Sequence, residues 1–245
     1  MTRNILRPLS VVVASCAMAA GAFAQAPNPA FSSLQSTFID VAGWTACPAG
    51  RCVDPRNSFL VTVYFGPASP LIGSRVWIDF SGCPDIQISC DQLTPETQQA
   101  YLASKTVQGF TDNAGEFVFK AQGAANAVLM PANMVSPGTN VGVACAQIWA
   151  GSVPAGSFPD VLLGNLIVAA YDINGLGSPT GAVNGVDVSL VASEVAKSAL
   201  GAGARAREDY NHSGSLNGAD VSKLASMAAA AGLGTGTQVT APFCP

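Results

Sequence analysis

The sequence predicts a mainly β protein in two parts, an antiparallel β-sandwich over residues 36–170 followed by a small all-α unit of two loop-helix repeats over 171–233. Three observations predict it. Between residues 36 and 170, short β-branched or aromatic segments alternate with Gly, Pro, Asn and Asp punctuation. After residue 187 the apolar residues switch to helical spacing. Near the C-terminus, residues 209–220 read D-Y-N-H-S-G-S-L-N-G-A-D, with oxygen-bearing side chains at the spacing of a calcium loop.

Segments 59–65, 74–80, 106–111, 116–121, 141–149 and 166–171 read as strands, and an antiparallel sandwich of about seven strands follows from them. Alternation assigns faces in 74–80: Val76, Ile78 and Phe80 point to the core, and Arg75, Trp77 and Asp79 to the other side. Trp77 there either covers the sheet or offers a stacking platform for a sugar. The run Thr111-Asp112-Asn113-Ala114-Gly115 ahead of E-F-V-F reads as a hairpin turn, with Gly115 supplying positive φ. The stretches G-S-R-V-W-I-D-F-S-G-C and T-D-N-A-G-E-F-V-F resemble bacterial immunoglobulin-like domains, which implies a spacer or adhesive module and no chemistry.

Ca²⁺ takes six to eight oxygens, and a loop closes round it when alternate side chains point inward and a flexible residue turns the chain. Asp209, Asn211, Ser213 and Asn217 supply side-chain oxygens, Ser215 a carbonyl, Gly214 the turn, and Asp220 the closing carboxylate. A related pattern starts at Asp172 and Asn174 and ends on Asn184 and Asp187, with Thr180 the candidate middle ligand of a second site. Each loop feeds a helical pattern: Val188, Val191, Ala192, Val195 and Ala199 in the first, Val221, Leu224, Ala225 and Ala228 in the second. Loop then helix, twice, resembles the dockerin module. The resemblance implies a symmetric pair of calcium-bound units and a cohesin-like β-sandwich partner, with Asp209, Asn211, Ser213, Ser215, Asn217 and Asp220 as ligands, joined by Asp172, Asn174, Asn184 and Asp187. Where dockerins of cellulosomes often carry polar recognition residues, this chain has Gly185-Val186 and Gly218-Ala219.

Residues 1–24 have the form of a secretory signal: Arg3 and Arg7, a short apolar run, then Ala22-Phe23-Ala24 ahead of Gln25. Val13-Ala14-Ser15-Cys16 offers lipid anchoring at Cys16 as the alternative. Residues 25–35 read as a flexible lead and 234–245 as a tail tied by a disulfide. Removing the leader takes two arginines and moves the formal charge from −4 to −6. That balance, with no Lys/Arg cluster, argues against nucleic acid and anionic membranes as partners. Charged residues at 11% and apolar ones at 49% leave part of the exterior to be covered by partners.

Outside the leader lie Cys47, Cys52, Cys83, Cys90, Cys145 and Cys244, an even set that in an exported chain reads as disulfides. Closeness in sequence pairs Cys47 with Cys52 and Cys83 with Cys90, leaving Cys145 for Cys244. The sole histidine, His212, sits in the 209–220 loop at an outward position, so no Ser-His-Asp or Cys-His set can be assembled elsewhere. Asp79, Asp85, Asp91 and Glu96 read as loop and surface charges, not a glycosidase pair. No phosphate loop or dinucleotide fingerprint is present in the sequence. The expectation is a secreted, non-enzymatic, calcium-stabilised structural or interaction protein. It assembles with itself head to tail or docks to a cohesin-like partner. The alternative is a carbohydrate-binding accessory module.

Overall fold

The computed structural model describes residues 23–41, 44–47, 50–53, 58–89, 99–101, 104–125, 144–173, 183–199, 208–213 and 215–233. The mainly β expectation holds. Strands β1 (Ser33–Leu34), β2 (Phe38–Val41), β3 (Trp44–Cys47), β4 (Gly50–Val53) and β5 (Phe59–Thr62) open the chain. There follow β6 (Tyr64–Gly66), β7 (Ser69–Pro70), β8 (Arg75–Asp79), β9 (Ile86–Ile88) and β10 (Gln99–Tyr101). Then come β11 (Thr106–Phe110), β12 (Glu116–Phe119), β13 (Gly123–Ala125), β14 (Ala146–Ala150) and β15 (Val161–Ala170), and finally helices α1 (Gly185–Ala199) and α2 (Gly218–Leu233).

Six strands form the main sheet in the order β10-β11-β8-β14-β15-β2, and β1-β5-β12 form a second. Their apolar faces feed one core. Val76, Ile78, Val107 and Ile148 come from the first sheet, Val61, Phe117 and Phe119 from the second, all at or near zero exposure. The alternation read in 74–80 is realised, since Val76, Ile78 and Phe80 are fully buried while Arg75, Trp77 and Asp79 are half-buried on the other side.

Several expectations are corrected. The ladder between β15 and β2 is parallel, so the main sheet is mixed. The turn at Asp112 is made as read, with its Oδ1 accepting the Ala114 and Glu116 amides at 2.8 and 3.0 Å and Gly115 at φ +74°. It does not close a hairpin, however, because β11 pairs with β8 and β12 with β5, and the turn carries the chain from one sheet to the other. The expected strand 59–65 is broken at Val63, whose amide goes to Gly115 O and whose carbonyl accepts from Leu71, both at 2.8 Å. Residues 25–35 are not a loose lead: Gln25 bridges Val153, the Asn28 amide donates to Tyr64 O at 2.8 Å, and β1 pairs with β5. Asp85, read as a surface charge, is fully buried. Asp91 and Glu96 lie outside the described residues.

The disulfide pattern also differs. Cys83 bonds Cys145 across 62 residues of sequence, with Cα atoms 5.1 Å apart, which excludes the Cys83–Cys90 and Cys145–Cys244 pairs. The physical reason is strand register. Gln147 lies opposite Asp79, so the turn that leaves β8 meets the segment that enters β14. Nearness along the chain counted for less, because after Cys83 the chain departs along β9 to pair with β13. Cys90 and Cys244 lie outside the described residues. Cys47 and Cys52 sit on the paired strands β3 and β4, opposite Gly50 and Thr45 respectively.

Both helices bury one stripe. In α1, Asp187, Val191 and Glu194 are buried, and in α2, Asp220, Leu224 and Met227, a four-then-three spacing that marks one helix face. Val191, Leu224 and Met227 belong to the same apolar cluster as the sheets. Among the described residues no helix is long and apolar enough to cross a membrane.

Candidate functional site

The two loop-helix junctions are built alike, and local hydrogen bonding explains why. Asn184 precedes α1, and its Oδ1 accepts the Val186 amide at 2.8 Å, while Asp187 Oδ2 returns to the Asn184 amide at 2.9 Å. At α2, Asn217 Oδ1 accepts the Ala219 amide at 2.8 Å, and Asp220 Oδ2 takes the Asn217 amide at 2.9 Å. This reciprocal arrangement satisfies orphan donors of the first turn and places a carboxylate against the positive end of the helix. Even the serines repeat, Ser189 Oγ donating to Gly185 O and Ser222 Oγ to Gly218 O, at 2.8 and 2.9 Å. Asn-Gly-x-Asp-Val-Ser is therefore a helix-start device in both units, whatever else it holds.

Each closing aspartate also reaches back to its loop's opening. Asp220 Oδ1 accepts the Asn211 amide at 3.1 Å, and Asp187 Oδ1 the Ile173 amide at 3.1 Å. In the 209–220 loop, Asp209 Oδ1 and Asn211 Oδ1 both accept from the Ser213 amide, at 3.0 and 2.9 Å. Ser213 Oγ lies 3.1 Å from Ser215 O, which also takes the Asn217 Nδ2 hydrogen at 3.1 Å. Hydrogen bonds thus link all six sequence-predicted ligands of this loop, and Asp209 and Asp220 are buried. Gly214 lies outside the described residues.

The donor set is all oxygen, with two carboxylates and four neutral groups, which suits a hard cation such as Ca²⁺ and not Zn²⁺. Hydrogen bonds from backbone amides leave further lone pairs on each carboxylate oxygen. Among the described residues no three Asp, Glu, His or Cys side chains converge as a metal-holding group, so any cation here depends on the amide, hydroxyl and carbonyl oxygens. Of the first loop, Asp172 is fully buried at the end of β15 and Asn184 and Asp187 stand at the α1 junction, whereas Asn174 and Thr180 lie outside the described residues.

Sequence reasoning missed the contact between this loop and the sheet. His212 points out of the loop, as its position demands, but onto β2: its Nε2 is 2.8 Å from Asp40 Oδ1, and its ring stacks on Phe38 with centroids 4.8 Å apart. Asp40, only 6% exposed, also accepts the Tyr171 hydroxyl at 2.7 Å and has Lys223 Nζ at 3.8 Å. Lys223 in turn donates to Tyr210 O. Tyr210 stacks on Tyr171 and donates its hydroxyl to Ala170 O at 3.0 Å. Burial first, then the charges of Glu208 and Asp187 and the neighbouring Tyr171 and Asp40, hold the Tyr210 phenol well above 10.0, so it stays a neutral donor. The signal for Asp40 was present in the sequence as an acid between Ile39 and Val41 in an otherwise apolar strand; its partner 172 residues away was not.

Comparison of the chain with family models, with curated proteins and with solved structures finds no match in any of the three.

Proposed function

We propose that the chain is an exported, non-enzymatic structural and protein-interaction protein, an immunoglobulin-like sandwich carrying a dockerin-like, calcium-stabilised helix pair. The observation that supports this most is the 209–220 loop, which gathers six oxygen-bearing residues and delivers its closing aspartate into the first turn of α2. Ion binding to a site that the unfolded chain lacks adds directly to folding free energy. The duplicated junction at Asn184 and Asp187 makes a second Ca²⁺ site the natural counterpart.

The 209–220 loop that leads into α2 is held on the sheet of its own chain through His212 on Asp40, which also takes the Tyr171 hydroxyl, and Tyr210 on Ala170. That arrangement favours a calcium-stiffened monomer that presents its remaining faces to partners. Head-to-tail polymerisation would require the same contacts to be remade between copies, an open heterologous assembly. Light scattering of the exported chain against calcium, paired with calorimetric titration, tests both parts. Calcium binding with a higher Tm and unchanged mass is the expected result. Growth in mass with calcium would transfer the docking contact to a neighbouring copy, and an absence of calcium binding would sink the proposal.

A further inference from the structure

We infer that the outer face of the six-stranded sheet, at Trp77, Trp149 and the polar groove beside them, binds a neutral polysaccharide. Strand register places Trp77 directly opposite Trp149, with Gln108 on the other flank of Trp77. The two indoles are parallel within 8° and their centroids are 6.3 Å apart. Both remain partly exposed. Two residues along the same strands, on the same face, the next row is Asp79, Gln147 and Asn165, again in direct cross-strand register. These three side chains line an open groove of about 260 Å³.

The chemistry of the row selects the ligand. Side-chain amides each offer a donor and an acceptor, and a sugar hydroxyl needs both. Gln147 Nε2 and Asn165 Oδ1 lie 3.3 Å apart, a weak contact that a ligand can replace. Asp79 Oδ1 is fixed by the Ser81 amide at 2.8 Å, which holds the carboxylate in place as an acceptor. The partly exposed Trp149 supplies an apolar surface for the C–H face of a pyranose ring, backed by Trp77, whose own ring lies under Arg75, and next to polar groups that set the sugar's orientation. An anionic ligand meets Asp79 and a net negative chain. Arg75, the cation over the Trp77 ring at 4.2 Å, is paired with Asp160 at 3.3 Å, and Lys105 Nζ donates to the carbonyls of Cys83, Pro84 and Ile86. A neutral, polyhydroxylated chain lying across the strands satisfies the groove without an unpaired charge.

Affinity electrophoresis of the exported chain through gels containing hydroxyethyl cellulose, xylan, galactomannan, β-1,3-glucan or soluble starch tests this directly. Retardation by at least one polymer is expected, with tryptophan fluorescence changing on binding. Affinity should fall at least tenfold in Trp149→Ala and in Gln147→Ala, both checked for native circular dichroism. Val118→Thr, on the exposed side of the second sheet, should bind as the parent does. No retardation by any of the five polymers overturns the inference, as does binding that survives both variants unchanged. If Trp149→Ala instead alters the association state of the chain and leaves polysaccharide binding intact, the face is a self-contact and the inference falls.

Discussion

Asp40 on β2 and His212 in the 209–220 loop meet at 2.8 Å, although 172 residues separate them in sequence. With Tyr171 and Lys223 around the same carboxylate, this pair fastens the loop to the sheet. Asp40→Ala leaves the Tyr171 hydroxyl and the His212 ring without their acceptor in a largely buried place. A loss of about 2–3 kcal/mol is expected, read as a lower urea midpoint with unchanged slope.

Leu224 carries the second prediction. It is fully buried in the cluster that also holds the sheet residues, so the helices and the β core should unfold together. Leu224→Ala should cost about 2–5 kcal/mol. Far-ultraviolet dichroism and tryptophan fluorescence should move to the same new midpoint; separate midpoints would show the helix pair melting on its own.

Asp220 stands at the third helical position of α2 and receives the Asn211 and Asn217 amides. Asp220→Ala should destabilise by about 1–3 kcal/mol even in EDTA, because two backbone donors lose their acceptor. If the loop holds Ca²⁺ as proposed, the deficit should widen in calcium, since the parent would gain about 2.7 kcal/mol at a hundredfold excess over Kd. Thermal melts of both proteins with calcium and with EDTA separate the capping contribution from the metal contribution. Asp187→Ala should repeat the EDTA result at α1.

Gly109 faces the ring of Phe117, and a Cβ there would lie 2.0 Å from its nearest carbon. Gly109→Ala should therefore force the sheets apart locally, at about 1–3 kcal/mol. Combining it with Phe117→Leu should restore part of the loss, a non-additivity measurable by a double-mutant cycle.

Non-reducing peptide mapping should recover Cys83 linked to Cys145. Closing a loop of 62 residues stabilises by about 4 kcal/mol in the chain-entropy description. Cys83→Ser together with Cys145→Ser should lower Tm correspondingly.

Legibility from sequence followed the range of the interaction. The faces of 74–80, the turn chemistry of Asp112 and Gly115 and the places of both helices are local, set by periodicity and capping, and the fold realises them, although that turn does not close the hairpin expected of it. The partners of those elements were not legible. Nothing near Thr111 says that the next strand joins another sheet, and the spacing of Cys83 and Cys90 suggested a bond that register forbids. In the 209–220 loop the closed, hydrogen-bonded turn was legible because the residues that bond within it are close in sequence. The role of Asp187 and Asp220 as helix caps overlaps the ligand pattern and becomes visible only in the folded chain. Asp40 escaped because a single buried acid in a strand announces a partner without naming it.

The parallel ladder of β2 and β15 bears on how the molecule carries load. Phe38 opposes Ile167 and Val41 opposes Ala170, and β15 runs straight into Tyr171 and Asp172 with no linker. Tension applied between the N-terminal end of β2 and the C-terminal end of β15 acts along the strands. Its bonds would then be sheared together instead of opened one by one, so under such tension the ladder at the join with the helical unit would act as a clamp.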